Sequence, residues 1–365
     1  MSNIESIDKN LKVKSTIDKD DVKFYDVLSE PFKVYGVFKE GDRFRRMPEE
    51  VAKTVSEGVY QLHACTSGGR VRFRTNSSYV AIHAEMDKIL KTSHFALTGA
   101  GGFDLYVKVD GKDARFVKGF TPPFDVTDGY ESVIDMPDDI YLNESGIMRE
   151  ITINFPTYSD VKDLYIGLQE GAVVESADDY KPQKPIVYYG SSITQGGCVS
   201  RPGMTYEAII TRRFNIDHIN LGFSGNAKAE DEMAEYIKGL DMSVFVYDYD
   251  HNAPSLEHLR DTHEKLFKTV REVHPDLPII MLSRPKIYLA DDEPERLEII
   301  KTTYNNAVTA GDKNVYIIEG AELMKICGND GTVDGGHPTD FGFASMATVI
   351  GDHMEKWGLF KKEVN

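Results

Sequence analysis

Three short blocks of the chain hold residue types that could do nucleophilic chemistry. In "KPIVYYGSSITQGG", Lys184 to Gly197, a five-residue run from Ile186 to Gly190 leads straight into Ser191 and Ser192. A run so short and apolar reads as a buried strand, and a glycine at its end lets the chain turn sharply. In "VDGGHPTDFG", Val333 to Gly342, Asp334 precedes His337 by three residues, with Gly335 and Gly336 between them. A loop of that kind can bring the carboxylate to the imidazole. An Asp that accepts from Nδ1–H holds the tautomer and leaves Nε2 as a base for a serine. In "YDYDHNAP", Tyr247 to Pro254, stand Asp248, Asp250, His251 and Asn252. An Asn amide is a donor suited to a tetrahedral oxyanion. "NLGFSGNAK" adds Gly222 and Gly225, whose flexibility could free a backbone N–H for the same task.

Each block also has a plainer reading. Ser191 or Ser192 could merely cap a helix or turn, and so could Asp334. The Asp and His residues of Tyr247–Pro254 could be turn caps or metal ligands, but no matching ligand spacing, CxxC or HExxH occurs elsewhere, so no metal is expected. Two familiar catalytic loops fail on spacing. A phosphate loop needs a Lys after its second glycine, and the hydrolase elbow needs G-x-S-x-G, whereas here Thr194 stands in the last position.

The elements that must position these blocks change character near residue 180. Up to about Leu168 the apolar residues alternate. "GGRVRFRTNSSYVAIHAEM" places Val71 and Phe73, then Val80, Ile82 and Ala84, on either side of a turn at residues 75–78, which reads as a hairpin. "GFDLYVKVDGKDARFVKGF" repeats the design around Asp110-Gly111. "MREITINFP" and "KDLYIGLQE" add two strands, and few windows keep a helical period. Together these predict an all-β sandwich or jelly roll. From Pro185, near-continuous apolar runs alternate with helical ones: five strand runs, from "PIVYYG" to "VYIIEG", and a last helix around "FASMATVIGDHMEKW". That pattern predicts a three-layer, doubly wound α/β domain on a parallel sheet. The charged, proline-bearing "EGAVVESADDYKPQKP" reads as the linker. The expected domains are residues 1–180 and 181–365. Ser192 then falls at the carboxyl end of the first parallel strand, the edge where open α/β sheets bind ligands.

Composition bounds the partners. A hydrophobic fraction of 41% and a charged fraction of 28% are those of a soluble globular protein. A net charge of -17 argues against nucleic acid and against an anionic membrane surface. No stretch approaches the roughly 18 apolar residues of a membrane span. The opening residues lack the apolar core of a secretory signal. Cys65, Cys198 and Cys327 are too few and too scattered for a disulfide framework. The expected location is the cytoplasm.

Four blocks in order, "GSSIT", "GFSGN", "DHN" and "DGGH", resemble the SGNH (GDSL) hydrolases. The resemblance covers roughly residues 184–359 and implies an SGNH hydrolase-like, flavodoxin-like fold. It maps the family's Ser, Gly, Asn and His onto Ser192, Gly225, Asn252 and His337, with Asp334 as the triad acid. The implied oxyanion donors are the N–H groups of Ser192 and Gly225 and the Asn252 amide. "GGFDLYVKVDG" and "FRRMP", Phe44 to Pro48, look like the β-sandwich that precedes the catalytic domain in one branch of these esterases. That branch resembles carbohydrate esterases that remove acetyl groups from glycans. Two departures stand out. The family's GDS has Asp where this chain has Ser191, and its third block is often GxND where this chain has Asp250-His251-Asn252.

The implied function is a serine esterase without cofactor or metal, acting on a small acetylated carbohydrate such as an oligosaccharide. The loops after the strands are polar, which suits a sugar better than an acyl tail. Arg201, His251 and Arg284 are candidate substrate contacts, together with Tyr288. The alternatives are a short-chain acyl esterase, thioesterase or lipase, and, from another class, a non-catalytic glycan-binding protein. The β-sandwich could bind glycan, complete the active-site wall or mediate a homo-oligomer.

Overall fold

The computed structural model describes residues 16–109, 112–137, 146–181 and 184–362. Alternating apolar residues build two antiparallel sheets in the first half. One, in the order β1-β11-β6-β9, uses Val22–Asp26, Asp163–Gln169, Tyr79–Glu85 and Gly129–Asp135. The other runs β12-β5-β10-β7-β8, from Val174–Glu175, Arg70–Thr75, Arg149–Asn154, Phe103–Lys108 and Arg115–Phe120, with β2 (Lys33–Tyr35) also on β5. A small ribbon, β3 (Phe38–Glu40) with β4 (Arg43–Arg45), stands beside them. The inward residues Val71, Phe73, Leu105 and Ile153 of one sheet meet Val80, Ile82, Leu164 and Ile166 of the other in a single core. This is a β-sandwich.

Three expectations need correcting. β5 and β6 do not pair as a hairpin; they lie in opposite sheets. The turn between them is a corner, where the Ser77 hydroxyl donates to the Tyr79 carbonyl and accepts from the Gln169 N–H. Crossing there lets Val71 and Phe73 face Val80 and Ile82 across the core rather than beside them. β7 and β8 do pair antiparallel, while the Asp110-Gly111 turn lies outside the described residues. The stretch read as a linker is strapped down: Val174–Glu175 joins a sheet, Tyr180 is buried, and the Lys181 N–H bonds to the Asn215 carbonyl. Two short helices, Glu49–Val55 and Glu57–Leu62, were not anticipated. Their residues Ala52, Val55 and Val59 pack into a core of the second half.

That second half is one parallel sheet in the order β14-β13-β15-β16-β17: His218–Gly222, Ile186–Gly190, Val244–Asp248, Ile279–Leu282 and Val315–Ile318. Its strands are apolar on both faces. Val187, Tyr189 and Phe245 face helices Asp231–Lys238, Leu256–Val273 and Glu293–Thr309. Ile186, Tyr188 and Val246 face Tyr206–Phe214 and Asp340–Lys356. The strand order reverses between β13 and β15, and that switch point is where a crevice opens at the carboxyl edge.

The two halves meet through buried polar contacts. Asp104 of β7 is fully buried and accepts from the Gly203 N–H and the Asn154 amide, each at 2.7 Å, and pairs with Arg201 at 3.3 Å. A Cβ on Gly203 would lie 2.5 Å from the Tyr106 ring, so the loop is moulded onto β7. Arg46 reaches the other way, donating to the carbonyls of Gly222 at 2.6 Å and Leu62 at 2.8 Å. Asp104→Ala strands the Arg201 guanidinium and two further donors. It should lower the free energy of unfolding by about 3 kcal/mol, the low end for a broken buried pair because Arg201 keeps some exposure. Urea denaturation checks this; an unchanged midpoint would rule out Asp104 as the tie.

Candidate active site

Ser192 opens a four-residue helix, Ser192–Gln195, directly after β13. Ser191 is its cap, its hydroxyl accepting from the Ile193 N–H at 3.2 Å. The helix is pressed onto the strand ends. A Cβ on Gly190 would stand 2.3 Å from Thr194 Oγ1, and one on Gly222 would stand 2.2 Å from the Gln195 N. The turn is tied sideways to β14 and the loop after it, because the Asn220 amide donates to the Thr194 carbonyl at 2.6 Å and Gln195 Oε1 accepts from the Ser224 N–H at 2.9 Å.

His337 arrives from the loop before the last helix. Its Nε2 lies 2.9 Å from Ser192 Oγ. Its Nδ1 lies 2.7 Å from Asp334 Oδ2. The other carboxylate oxygen accepts from the backbone N–H groups of His337 at 2.7 Å and Gly336 at 3.0 Å. Gly335 takes φ +85°, a left-handed conformation that makes this tight loop feasible. Burial alone would raise the Asp334 pKa. The hydrogen bonds from the His337 backbone, its imidazole and the Gly336 backbone outweigh it and hold the carboxyl at about 2. An ionised carboxylate can only accept, so Nδ1 carries the proton and Nε2 offers its lone pair to the Ser192 hydroxyl. That is the arrangement of a serine nucleophile with its base and an orienting acid.

Gly225 and Asn252 come from the loops after the two strands that flank β13. The register pairs Gly190 with Gly222 and with Asp248, so all three loops leave the sheet at one level. The Asn252 amide donates to the Phe223 carbonyl at 3.0 Å, tying the two flanking loops together. Gly225 has φ +69° and open space where a side chain would be. His251 sits among Asp250, Arg284 and His337. Burial pushes its imidazole down to about 4, so it is neutral at pH 7, and its buried Nε2 has no hydrogen-bond partner.

Two candidate sugar contacts are committed elsewhere. Arg284 pairs with Asp250 at 3.1 Å and with Glu293 at 2.7 Å, holding the third block from beneath. Arg201 pairs with Asp104 and lies 3.7 Å from the Phe116 ring centroid, bridging the two halves. Neither guanidinium is a free donor at a polar rim. Tyr288 is 73% exposed.

Alternation and periodicity missed the part played by the first half. Phe95 and His94 bring their rings to 6.3 Å and 6.1 Å from that of His337. Tyr158 stacks edge-on against Phe95 at 4.7 Å and donates to the Ser192 carbonyl at 3.2 Å. No spacing rule announces these residues, which lie on loops of the sandwich. Cys198 takes a strained φ of +72° close to Asp334, and burial pushes its thiol up to about 12, so it is no competing nucleophile. Among the described residues no cluster of His, Cys, Asp and Glu could hold a metal ion, and no helix is long and apolar enough to cross a membrane.

Residues 183–355 match the GDSL-like lipase/acylhydrolase family model, and residues 22–174 match the GxDLY model, the N-terminus of SGNH-hydrolase-type esterases. The letters of the latter are Gly102, Asp104, Leu105 and Tyr106 here. Among solved structures, one from Bacteroides ovatus ATCC 8483 assigned as a GDSL-like lipase is 28% identical, with a TM-score of 0.80 over 94% of this chain and 99% of its own. The salicylyl-acyltransferase SsfX3 of a tetracycline biosynthetic pathway is 18% identical, with a TM-score of 0.72 over 93% and 98%. The acetyl xylan esterase Est2A of Butyrivibrio proteoclasticus is 12% identical, with a TM-score of 0.58 over 93% and 100%. A search of curated proteins found no match. The chain belongs to the SGNH (GDSL) hydrolase family, in a branch with an N-terminal β-sandwich. Within it, the protein is a hydrolase whose structural neighbours include carbohydrate esterases.

The site contains one carboxyl of opposite character to Asp334. Burial, reinforced by Asp250, pushes Asp248 up to about 8. The unfolded chain loses that proton near pH 4 while the folded one keeps it. The folded state therefore binds more protons between about pH 4 and 8, and stability falls as pH rises through that window. Asp248→Asn removes this contribution. The melting-temperature difference, variant minus wild type, should grow more positive from pH 4 to 8. A difference flat across that range would mean that Asp248 is ionised in the native protein.

Proposed function

We propose that the protein is a serine esterase that removes O-acetyl groups from carbohydrate. The observation that carries the reading is the continuous chain from Ser192 Oγ to His337 Nε2 and from Nδ1 to Asp334, at 2.9 and 2.7 Å. The Ser192 oxygen attacks the ester carbonyl as its proton passes to Nε2. The imidazolium, steadied by Asp334, returns that proton to the leaving sugar hydroxyl. Water then repeats the sequence on the acyl-enzyme, freeing acetate and the serine. The N–H groups of Ser192 and Gly225 and the Asn252 amide serve the oxyanion. Loss of one such donor typically slows turnover about 100- to 1000-fold.

The substrate class rests on two supports. The rings of Phe95, His94 and Tyr158 lie beside the nucleophile and its base, and with the polar loops after the strands they suit a sugar carrying a short acyl group. The neighbours also include an acetyl xylan esterase and a family two carbohydrate esterase from Clostridium thermocellum in complex with cellohexaose.

Hydrolysis of p-nitrophenyl esters should fall sharply from acetate to butyrate and be negligible at octanoate, and acetylated xylo-oligosaccharides should release acetate. Ser192→Ala and His337→Ala should each lose at least about 10,000-fold in kcat, since the pair acts as a unit, with melting temperatures within a few degrees of wild type. Faster turnover of octanoate than acetate, with no acetate released from oligosaccharide, would replace this reading with a lipase. Full activity in Ser192→Ala would end it.

A further inference from the structure

A cavity of about 440 Å³ lies where the outer face of the six-stranded sheet meets helix Tyr206–Phe214, and none of Ser192, Asp334 and His337 lines it. It is the size of a small-molecule site. Its sheet wall is a row across three strands, because the register sets Arg72 beside Thr152 and Thr152 beside Tyr106. Arg72 is 2% exposed. Its Nη2 pairs with Glu150 at 2.6 Å, and its plane lies 4.1 Å from the Tyr180 ring centroid. Its Nε and Nη1 are buried and have no hydrogen-bond partner.

The opposite wall supplies Arg212, whose guanidinium lies 4.1 Å from the Tyr106 ring centroid. Among the described residues it makes neither a hydrogen bond nor an ion pair. Burial lowers its pKa, and Tyr106 and Asp104 offset only part of that effect. The neighbouring arginines are already matched. Arg70 pairs with Asp217, and Arg213 pairs with Asp352 and Glu355. Among the described residues, Arg212 thus brings unmet guanidinium donors to the cavity from the second half, Lys362 adds an ammonium, and Arg72 of the first half, its Nε and Nη1 covered, adds positive charge to the sheet wall.

We propose that this cavity binds an oxyanion, a carboxylate or a phosphate, carried on a molecule about the size of a monosaccharide. A planar guanidinium presents paired N–H donors that match two oxygens of such a group. Thr152 and Asn154, also in the lining, offer polar groups to hydroxyls on its body. With a net charge of -17, the protein as a whole repels anions, so binding must come from these local donors.

Isothermal titration of the full chain at low salt tests this with inorganic phosphate, glucose 1-phosphate, glucuronate and glucose. Saturable one-to-one binding of at least one anion, and none of glucose, is expected. The arm that binds best identifies the carrier group as phosphate or carboxylate. Arg212→Ala and Arg212→Gln should each weaken binding roughly 10- to 100-fold, the range of a charge-assisted hydrogen bond. Both should leave the melting temperature and p-nitrophenyl acetate hydrolysis unchanged. No saturable binding of any anion, equal binding of glucose, or unaltered affinity in both variants would overturn the proposal. Calorimetry reads no turnover, so an inactive protein that still binds would sink only the esterase reading.

Discussion

The site depends on how closely one helical turn lies against two strand ends. Gly190 and Gly222 close β13 and β14 side by side, and the turn carrying Ser192 rests where their side chains would have been. No residue with a Cβ fits either place without moving the turn. From that contact the rest follows. The hydroxyl stands above the sheet edge, and the Asn220 and Gln195 amides lock the turn to β14 and to the loop after it. The Asn252 amide then ties that loop to the one after β15. His337 needs only to reach a point already set by the sheet.

The β-sandwich belongs to this construction. Asp104 and Tyr106, two of the letters that name the matched GxDLY model, hold the loop that follows the turn carrying Ser192. Arg46 satisfies carbonyls at the end of β14 and is itself so buried that its pKa falls to about 10, leaving it still charged at neutral pH. A buried cation answered by carbonyls rather than by a carboxylate is sensitive to geometry. It therefore specifies how the two halves seat. The same seating brings Phe95 to His337 and Tyr158 to Ser192, so the first half supplies part of the wall of the candidate site.

The parallel sheet was legible because its strands are apolar on both faces, and the serine and histidine blocks because they follow or precede those strands. The order of the four blocks carried the family. Where the sequence misled, a local pattern had more than one tertiary use. Arg70 and Arg72 alternate with Val71 and Phe73, yet both are buried, Arg70 on Asp217 of the second half and Arg72 between Glu150 and Tyr180. Alternation on both sides of residues 75–78 suits a hairpin and a sandwich corner equally. Arg201 and Arg284 looked like free donors because Asp104 and Asp250 are remote in sequence, and Glu293, nine residues after Arg284, reaches back to it only once that loop folds. His94 and Phe95 had no signal at all, since their role exists only once the two halves meet.

The two aspartates of the site show why residue type alone could not assign its roles. Asp334 is partly exposed and receives three N–H donors, so it stays ionised and can hold an imidazolium. Asp248 lies beneath the nucleophile turn. Its better-placed oxygen meets Ser191 only at 3.4–3.5 Å, and its other oxygen has no partner, so it keeps its proton. The chain has Ser191 where its family usually has a carboxylate. A second ionised acid under the turn would oppose an oxyanion forming above it, by like-charge repulsion in a dry setting. With Asp248 neutral and Asp250 paired with Arg284, the unbalanced negative charge nearest Ser192 lies on Asp334, at the far end of the imidazole, where in the proposed mechanism it would help the proton move rather than resist the attack.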